Sequence, residues 1–296
     1  MIYCLCAKVK PGAEEVRMIK IIVDSGCDIP QELLEDGDVK IDVVPLNLQI
    51  EDKSYVDDED LDVDSYLQTM TESKGTAHTS APSPGSFFSK FIGEESIFAV
   101  TLSSALSGTY NSAMMAKQMY LDDIGQKFIH VFDSLSASVG ETIIALKIRE
   151  FAKNNIPEME IVESINKYIG SIRTFFILDR FDNLVKTGRI NPTVAKLASL
   201  LSIKPICKGT KEGALALAGK AKGFKKAISS LITLILEEKL DFENRTLAIS
   251  HVKCIEKAIY FKEQIIKKIN FKEILIVEAR GVIVTYAHNA GIVIAY

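Results

Sequence analysis

The chain has 296 residues, of which 47% are hydrophobic and 25% charged, with a formal net charge of -4 at pH 7. That length suits two domains or one large α/β domain, either able to bury a sizeable core. A mildly acidic chain with charges of mixed sign lacks the clustered basic surface that neutralises phosphates, which excludes nucleic acid as the expected partner.

Residues 1–17 show no clear period and no signal-peptide pattern, so they read as an N-terminal extension outside the fold. From Ile19 onward short β-rich runs alternate with longer amphipathic ones, the pattern of an α/β protein. Residues 19–23 form a strand, 30–34 a short helix, 40–50 one long strand rich in Val, Ile and Leu, and 51–55 a hairpin tip. Helical period returns over 61–70, and 71–82 is a loop. Ser83 and Pro84 then supply an N-cap and an N1 proline to a helix with Phe87, Phe88 and Phe91 on one face. Strand 97–102, helix 109–121, strand 128–132 and helix 138–152 complete a mostly parallel sheet with helices on both faces. In such sheets ligands sit at the carboxyl ends of the strands, where Asp24-Ser25, Ser103-Ser104 and Asp133-Ser134 fall.

The rhythm changes after Pro157. Helix 158–169 leads to strand 174–178, helices near Asn183 and over 192–201, strand 203–207, and a glycine-flanked hairpin over 208–220. The longest helix, 224–240, carries Phe224, Ile228, Leu231 and Ile235 on one stripe. Strands at 246–250, 274–278, 282–286 and 292–295 surround helix 256–269. A boundary near residue 172 separates a domain over 18–171, built on a parallel sheet, from an α/β domain over 172–296.

Five cysteines, at positions 4, 6, 27, 207 and 254, form an odd and scattered set without a C-x-x-C pair. This fits a reducing cytosol and neither a disulfide frame nor a zinc site. No two histidines or cysteines share a local ligand spacing, so no metal is expected. No apolar run reaches the ~20 residues of a spanning helix, and the expectation is a soluble, cytoplasmic protein.

Two familiar chemistries fail on inspection. Gly213 to Lys220 approaches a phosphate-binding loop but has one residue too many between its glycines, and Ala221 has no hydroxyl for magnesium, so ATP binding by this chain is not expected. Ala81-Pro82-Ser83-Pro84-Gly85 resembles a nucleophile elbow, yet Pro84 has no N–H to give an oxyanion. A serine hydrolase using Ser104 or Ser107 would need a nearby base among His78, His130, His251 and His288. His130 lies in an apolar strand and reads as a sheet residue; His251 closes a strand, with turn packing and a site role both open; His78 and His288 are candidates to line a pocket.

The most informative segments are two hydroxyl-rich turns, Thr79-Ser80-Ala81-Pro82-Ser83-Pro84-Gly85-Ser86-Phe87 and Leu102-Ser103-Ser104-Ala105-Leu106-Ser107-Gly108-Thr109-Tyr110. Hydroxyls and free backbone N–H groups gathered at helix starts favour a small anion such as carboxylate or phosphate.

Together with Asp24-Ser25-Gly26-Cys27-Asp28, Asn111-Ser112-Ala113, Asp133-Ser134 and Leu184-Val185-Lys186-Thr187-Gly188-Arg189-Ile190, these turns resemble the DegV family from Met18 to Tyr296. The resemblance implies a parallel-sheet α/β/α domain followed by a two-layer α/β domain with a mixed sheet that closes over a ligand cleft. It further implies a non-enzymatic protein without a cofactor that holds one long-chain fatty acid, such as palmitate, with its carboxylate at the domain cleft and its tail in an apolar tunnel. Some members carry the acyl chain for a separate ATP-binding fatty acid kinase subunit in phospholipid metabolism, with at most transient membrane contact. By position, the resemblance makes Thr79 and Ser104 the carboxylate contacts, with Ser80, Ser103 and Ser107 close by and Asp24 at the cleft. Arg189 takes the place of a basic residue at the cleft mouth. Ala287 stands where several members place a histidine, leaving His288, one position off, and Tyr286 as alternative neighbours. Phe87, Phe88, Phe91, Met114, Met115 and Met119, on the helices that start at the two turns, are either tunnel lining or ordinary core. Two further readings are a serine esterase built on Ser104 and a phosphate- or phosphosugar-binding regulator.

Overall fold

The computed structural model of the protein describes residues 18–35 and 39–296; the expected extension over 1–17 lies outside them. The first half runs β1 (Ile19–Asp24), α1 (Gln31–Leu34), β2 (Ile41–Val44), β3 (Asn47–Ile50), β4 (Lys53–Val56), α2 (Val63–Glu72), β5 (Ala77–Ser80), α3 (Pro84–Phe91), β6 (Ser96–Thr101), α4 (Thr109–Asp123), β7 (Ile129–Asp133), α5 (Val139–Lys153) and α6 (Glu158–Ser171). The second half runs β8 (Thr174–Ile177), α7 (Asp182–Lys186), α8 (Pro192–Ala198), β9 (Ile203–Gly209), β10 (Leu215–Lys222), α9 (Phe224–Glu237), β11 (Thr246–His251), α10 (Ile255–Ile265), β12 (Glu273–Glu278), α11 (Gly281–Ala287) and β13 (Ile292–Ala295).

Strands β2-β1-β6-β7 form an all-parallel sheet, and β10-β9-β8-β13-β11-β12 a mixed one in which only β11 and β12 are parallel. Strand β1 is buried at five of its six positions because both of its faces are covered. Alternate side chains go to opposite faces: Ile21 and Val23 meet Ile144, Ile148 and Ile165 of α5 and α6, whereas Ile22 meets Phe87, Phe91 and Ala113 of α3 and α4. Helix α5 is buried on almost every side because it lies between the two sheets, with Val139 and Ile143 packed against Ala248, Val277 and Ala295.

Three expectations need correction. The run over 40–50 is not one strand but two, broken where Pro45, lacking an N–H, cannot continue a ladder. Its first part joins the parallel sheet and its second, β3, forms a separate antiparallel sheet of order β4-β3-β5. The region over 71–82 is not all loop: β5 lies within it, with Leu48 opposite Thr79. The apolar run over 282–286 is helix α11, not a strand. It is buried on all sides, so its hydrophobic pattern carries neither a period of two nor one of 3.6.

The small sheet and α11 close the gap between the two larger sheets, and Leu48, Ile50 and Ala77 share one apolar cluster with Phe176, Leu184 and Val282. The cavity described next opens in that cluster.

Candidate hydroxyl-headed cavity

The loops after β1, β6 and β7 all leave the same edge of the parallel sheet, as parallel strands require. Asp24 ties the first two together: its Oδ1 accepts from the Gly26 N–H at 2.8 Å and its Oδ2 from the Leu102 N–H at 2.7 Å. Gly26 is needed there because a Cβ would lie 2.6 Å from Leu102. Asp24 is therefore wholly buried as an internal brace rather than exposed at a cleft, and burial pushes its carboxyl up to about 7.

Between these loops, the face of the mixed sheet and α11 lies a cavity of about 100 Å³ that opens to solvent at its mouth. Leu102, Leu106 and Leu135 line it from the first half, and Phe176, Leu178 and Ile283 from the second. On β8 and just beyond, Thr174, Phe176 and Leu178 face the cavity while Phe175 and Ile177 point into the core behind, the alternation of a two-faced strand.

The polar part of the wall is small. Thr79, at the end of β5, places its hydroxyl 3.1 Å from the Tyr286 phenol on α11. Ser107 and Arg189 also reach the wall. Arg189 donates from Nε to the Leu106 carbonyl at 3.2 Å and from Nη1 to the Thr187 carbonyl at 2.7 Å, which fixes the guanidinium against the loop that bears Ser107. Hydroxyl donors and one cation on an otherwise apolar wall suit a carboxylate with a hydrocarbon tail.

The remaining residues singled out from sequence take other places. Ser103 is buried, and its hydroxyl crosses to the Gly213 carbonyl in the β9–β10 turn at 2.9 Å. Gly213 has φ of +78°, and a Cβ there would come 2.1 Å from the Ser103 hydroxyl. Ser104 is exposed, with its N–H donated to Asp133 at 3.0 Å, and Ser80 is exposed on β5; neither is on the wall. His288 is buried beside the wall's Ala287 but outside the wall, with its Nε2 unpartnered; burial pulls its imidazole down to about 4. None of the four histidines lines the cavity, so Ser107 has no imidazole base in it.

The aromatic and methionine side chains read as either lining or core are not in this wall. Phe87, Phe88 and Phe91 pack between α3, α4 and the parallel sheet, and Met114, Met115 and Met119 are exposed on α4. Helices α3 and α4 start beside the hydroxyl turns but run away across the sheet face, so their apolar stripe fills the core there. The wall is built instead from the loops after β6 and β7, Thr79 of β5, and the strands and helices of the second half.

An α/β protein with a parallel sheet, a mixed sheet, and between them an apolar cavity headed by hydroxyls and an arginine is thus a small-molecule binding fold with space for an amphipathic ligand. The family model that matches, over residues 18–296, is that of the DegV family, described as uncharacterised proteins, and the chain belongs to this family. A DegV domain-containing protein of Streptococcus gordonii is 31% identical over 278 residues, 94% of this chain and 98% of the relative. Among solved structures, a DegV family protein from Ruminococcus gnavus refined with vaccenic acid superposes with a TM-score of 0.88 at 36% identity, covering 94% of this chain and 99% of that one. The Streptococcus pneumoniae Fatty Acid Kinase (Fak) B3 protein loaded with linoleic acid superposes with a TM-score of 0.87 at 31% identity, with the same coverage.

Proposed function

We propose that this protein binds one long-chain fatty acid, with the carboxylate held at Thr79, Tyr286, Ser107 and Arg189 and the tail in the cavity between the two sheets, the chain dividing near residue 172. The observation that carries this reading is the Thr79–Tyr286 hydroxyl pair, with Ser107 and Arg189, in the wall of a mostly apolar cavity. Each charge-assisted hydrogen bond contributes about 1.5–3 kcal/mol, so the head chiefly sets register. The tail contributes more: at about 0.8 kcal/mol per buried methylene, some fifteen methylenes supply on the order of 10 kcal/mol before the cost of immobilisation.

The solved relatives with vaccenic and linoleic acid support the ligand class, and the kinase name of one of them supports a role as the acyl-carrying, non-catalytic partner of a separate ATP-binding kinase. Ser104, exposed in the same loop as Ser107, and Ser80 are proposed as outer contacts of the headgroup or of that partner. A cytoplasmic location is part of the same reading. Among the described residues no helix is long and apolar enough to cross a membrane. The test is organic extraction of the purified protein followed by mass spectrometry. One equivalent of a long-chain fatty acid is expected, and a protein free of lipid that also fails to take up palmitate refutes the proposal.

A further inference from the structure

Asp57 lies just beyond β4, is almost completely buried, and donates its own N–H to the Leu46 carbonyl at 2.9 Å. Its carboxylate reaches α11: Oδ1 accepts from the Gly281 N–H and Oδ2 from the Val282 N–H, both at 2.9 Å. These are the first two residues of the helix that carries Tyr286, and their N–H groups have no intrahelical acceptor. The approach leaves no slack, because a Cβ on Gly281 would stand 2.7 Å from the Asp57 carboxylate and 2.6 Å from Leu61.

Thr79 belongs to the same small sheet, on β5, with β3 between it and β4. The sheet therefore holds α11 at two points, at its start through Asp57 and at Tyr286 through Thr79. A third tie comes from α2, where the Tyr66 phenol lies 2.7 Å from the Thr285 hydroxyl.

We propose that Asp57, seconded by Tyr66, is a positioning residue of the headgroup site, setting the height and rotation of α11 so that the Tyr286 phenol stays within hydrogen-bond reach of Thr79 and the ligand carboxylate. This rests on the acyl-binding reading above. Neither residue lines the cavity, so each acts through α11, the helix that carries Tyr286. An asparagine at position 57 offers one acceptor oxygen where the helix start presents two donors, and its amide N–H groups face the second donor.

The experiment is displacement of a fluorescent fatty acid by palmitate from the delipidated full-length protein, for wild type, Thr79→Ala, Asp57→Asn, Tyr66→Phe, Tyr286→Phe and the two double variants with Tyr286→Phe. Asp57→Asn and Tyr286→Phe are each expected to raise the Kd roughly tenfold. Each double variant is expected to bind no worse than Tyr286→Phe alone, since a mispositioned phenol and an absent one are the same loss. A merely structural role for Asp57 gives losses that multiply, and that result overturns the proposal. Wild-type affinity in a folded Asp57→Asn protein overturns it too. Should Asp57→Asn not fold, Tyr66→Phe, which removes one hydroxyl contact, carries the same two criteria. If Tyr286→Phe and Thr79→Ala both bind palmitate as wild type does, the headgroup assignment falls and the positioning role with it. If only Asp57→Asn and Tyr66→Phe do, the positioning role alone falls.

Discussion

Thr79 and Tyr286 are 207 positions apart in the chain, yet their hydroxyls lie 3.1 Å from each other in the wall of the cavity. One residue comes from the small antiparallel sheet and the other from a helix that packs across it. The ligand carboxylate is expected to accept from this pair. Thr79→Ala should therefore raise the Kd for palmitate about tenfold while leaving the melting temperature within a few degrees of wild type, as calorimetric titration and thermal denaturation will show.

Glu141 gives a pH-dependent prediction. It is fully buried in the first turn of α5, and neither carboxyl oxygen has a hydrogen-bond partner. Burial, reinforced by the nearby Asp24 and Asp28, raises its pKa well above the ordinary 4.5. The folded protein thus keeps a proton that the unfolded chain releases above about pH 4.5, so the folded state is favoured below that pH and loses this advantage as pH rises toward the folded pKa. Glu141→Gln keeps the shape of the protonated acid and abolishes the titration. It should raise the melting temperature more at pH 8 than at pH 5; equal shifts at the two pH values contradict the assignment.

Asp28 joins the two halves of the molecule. Its Oδ2 accepts from the hydroxyls of Ser138 and Ser250, and its Oδ1 from the Arg280 N–H at 2.7 Å. Asp28→Ala leaves these buried donors without an acceptor, at an expected cost of about 2–5 kcal/mol in urea denaturation. Asp28→Asn retains one acceptor oxygen and should lose about half as much.

The path of the tail can be separated from the surface of α4. Met115, exposed there, should tolerate replacement by Lys with no change in acyl affinity. Ala137, on the cavity wall, should not tolerate Phe: the added ring takes space from the tail. Ala137→Phe is expected to shift bound lipid toward shorter chains, read by mass spectrometry of the extract. Identical lipid profiles in wild type and variant place the tail elsewhere.

Much of the fold was legible because its signals are local. The buried strand β6 ends at a hydroxyl turn that opens α4, and Ser83 caps α3 by accepting from the Ser86 N–H at 3.1 Å, as an N-cap serine before proline should. Pro45 is a local signal too, but Val, Ile and Leu recur on both sides of it, so the run reads as one strand.

The candidate site was legible only in part. Thr79 and Ser107 stand on hydroxyl turns and reach the wall, whereas Ser104, in the same turn as Ser107, points its side chain into solvent. Asp24 carries the same side chain whether it meets a ligand or two backbone N–H groups, and its burial is a property of the neighbours that cover it.

By itself the sequence determined the α/β class, the parallel sheet and the turns that gather hydroxyls at its edge, since period, caps and turn chemistry act over a few residues. Only the tertiary structure decided that 282–286 is a helix, that Tyr286 meets Thr79, and that both halves of the chain wall the cavity. A side chain lining a cavity is of the same kind as one filling a core, and the difference lies in whether another element arrives to close the space.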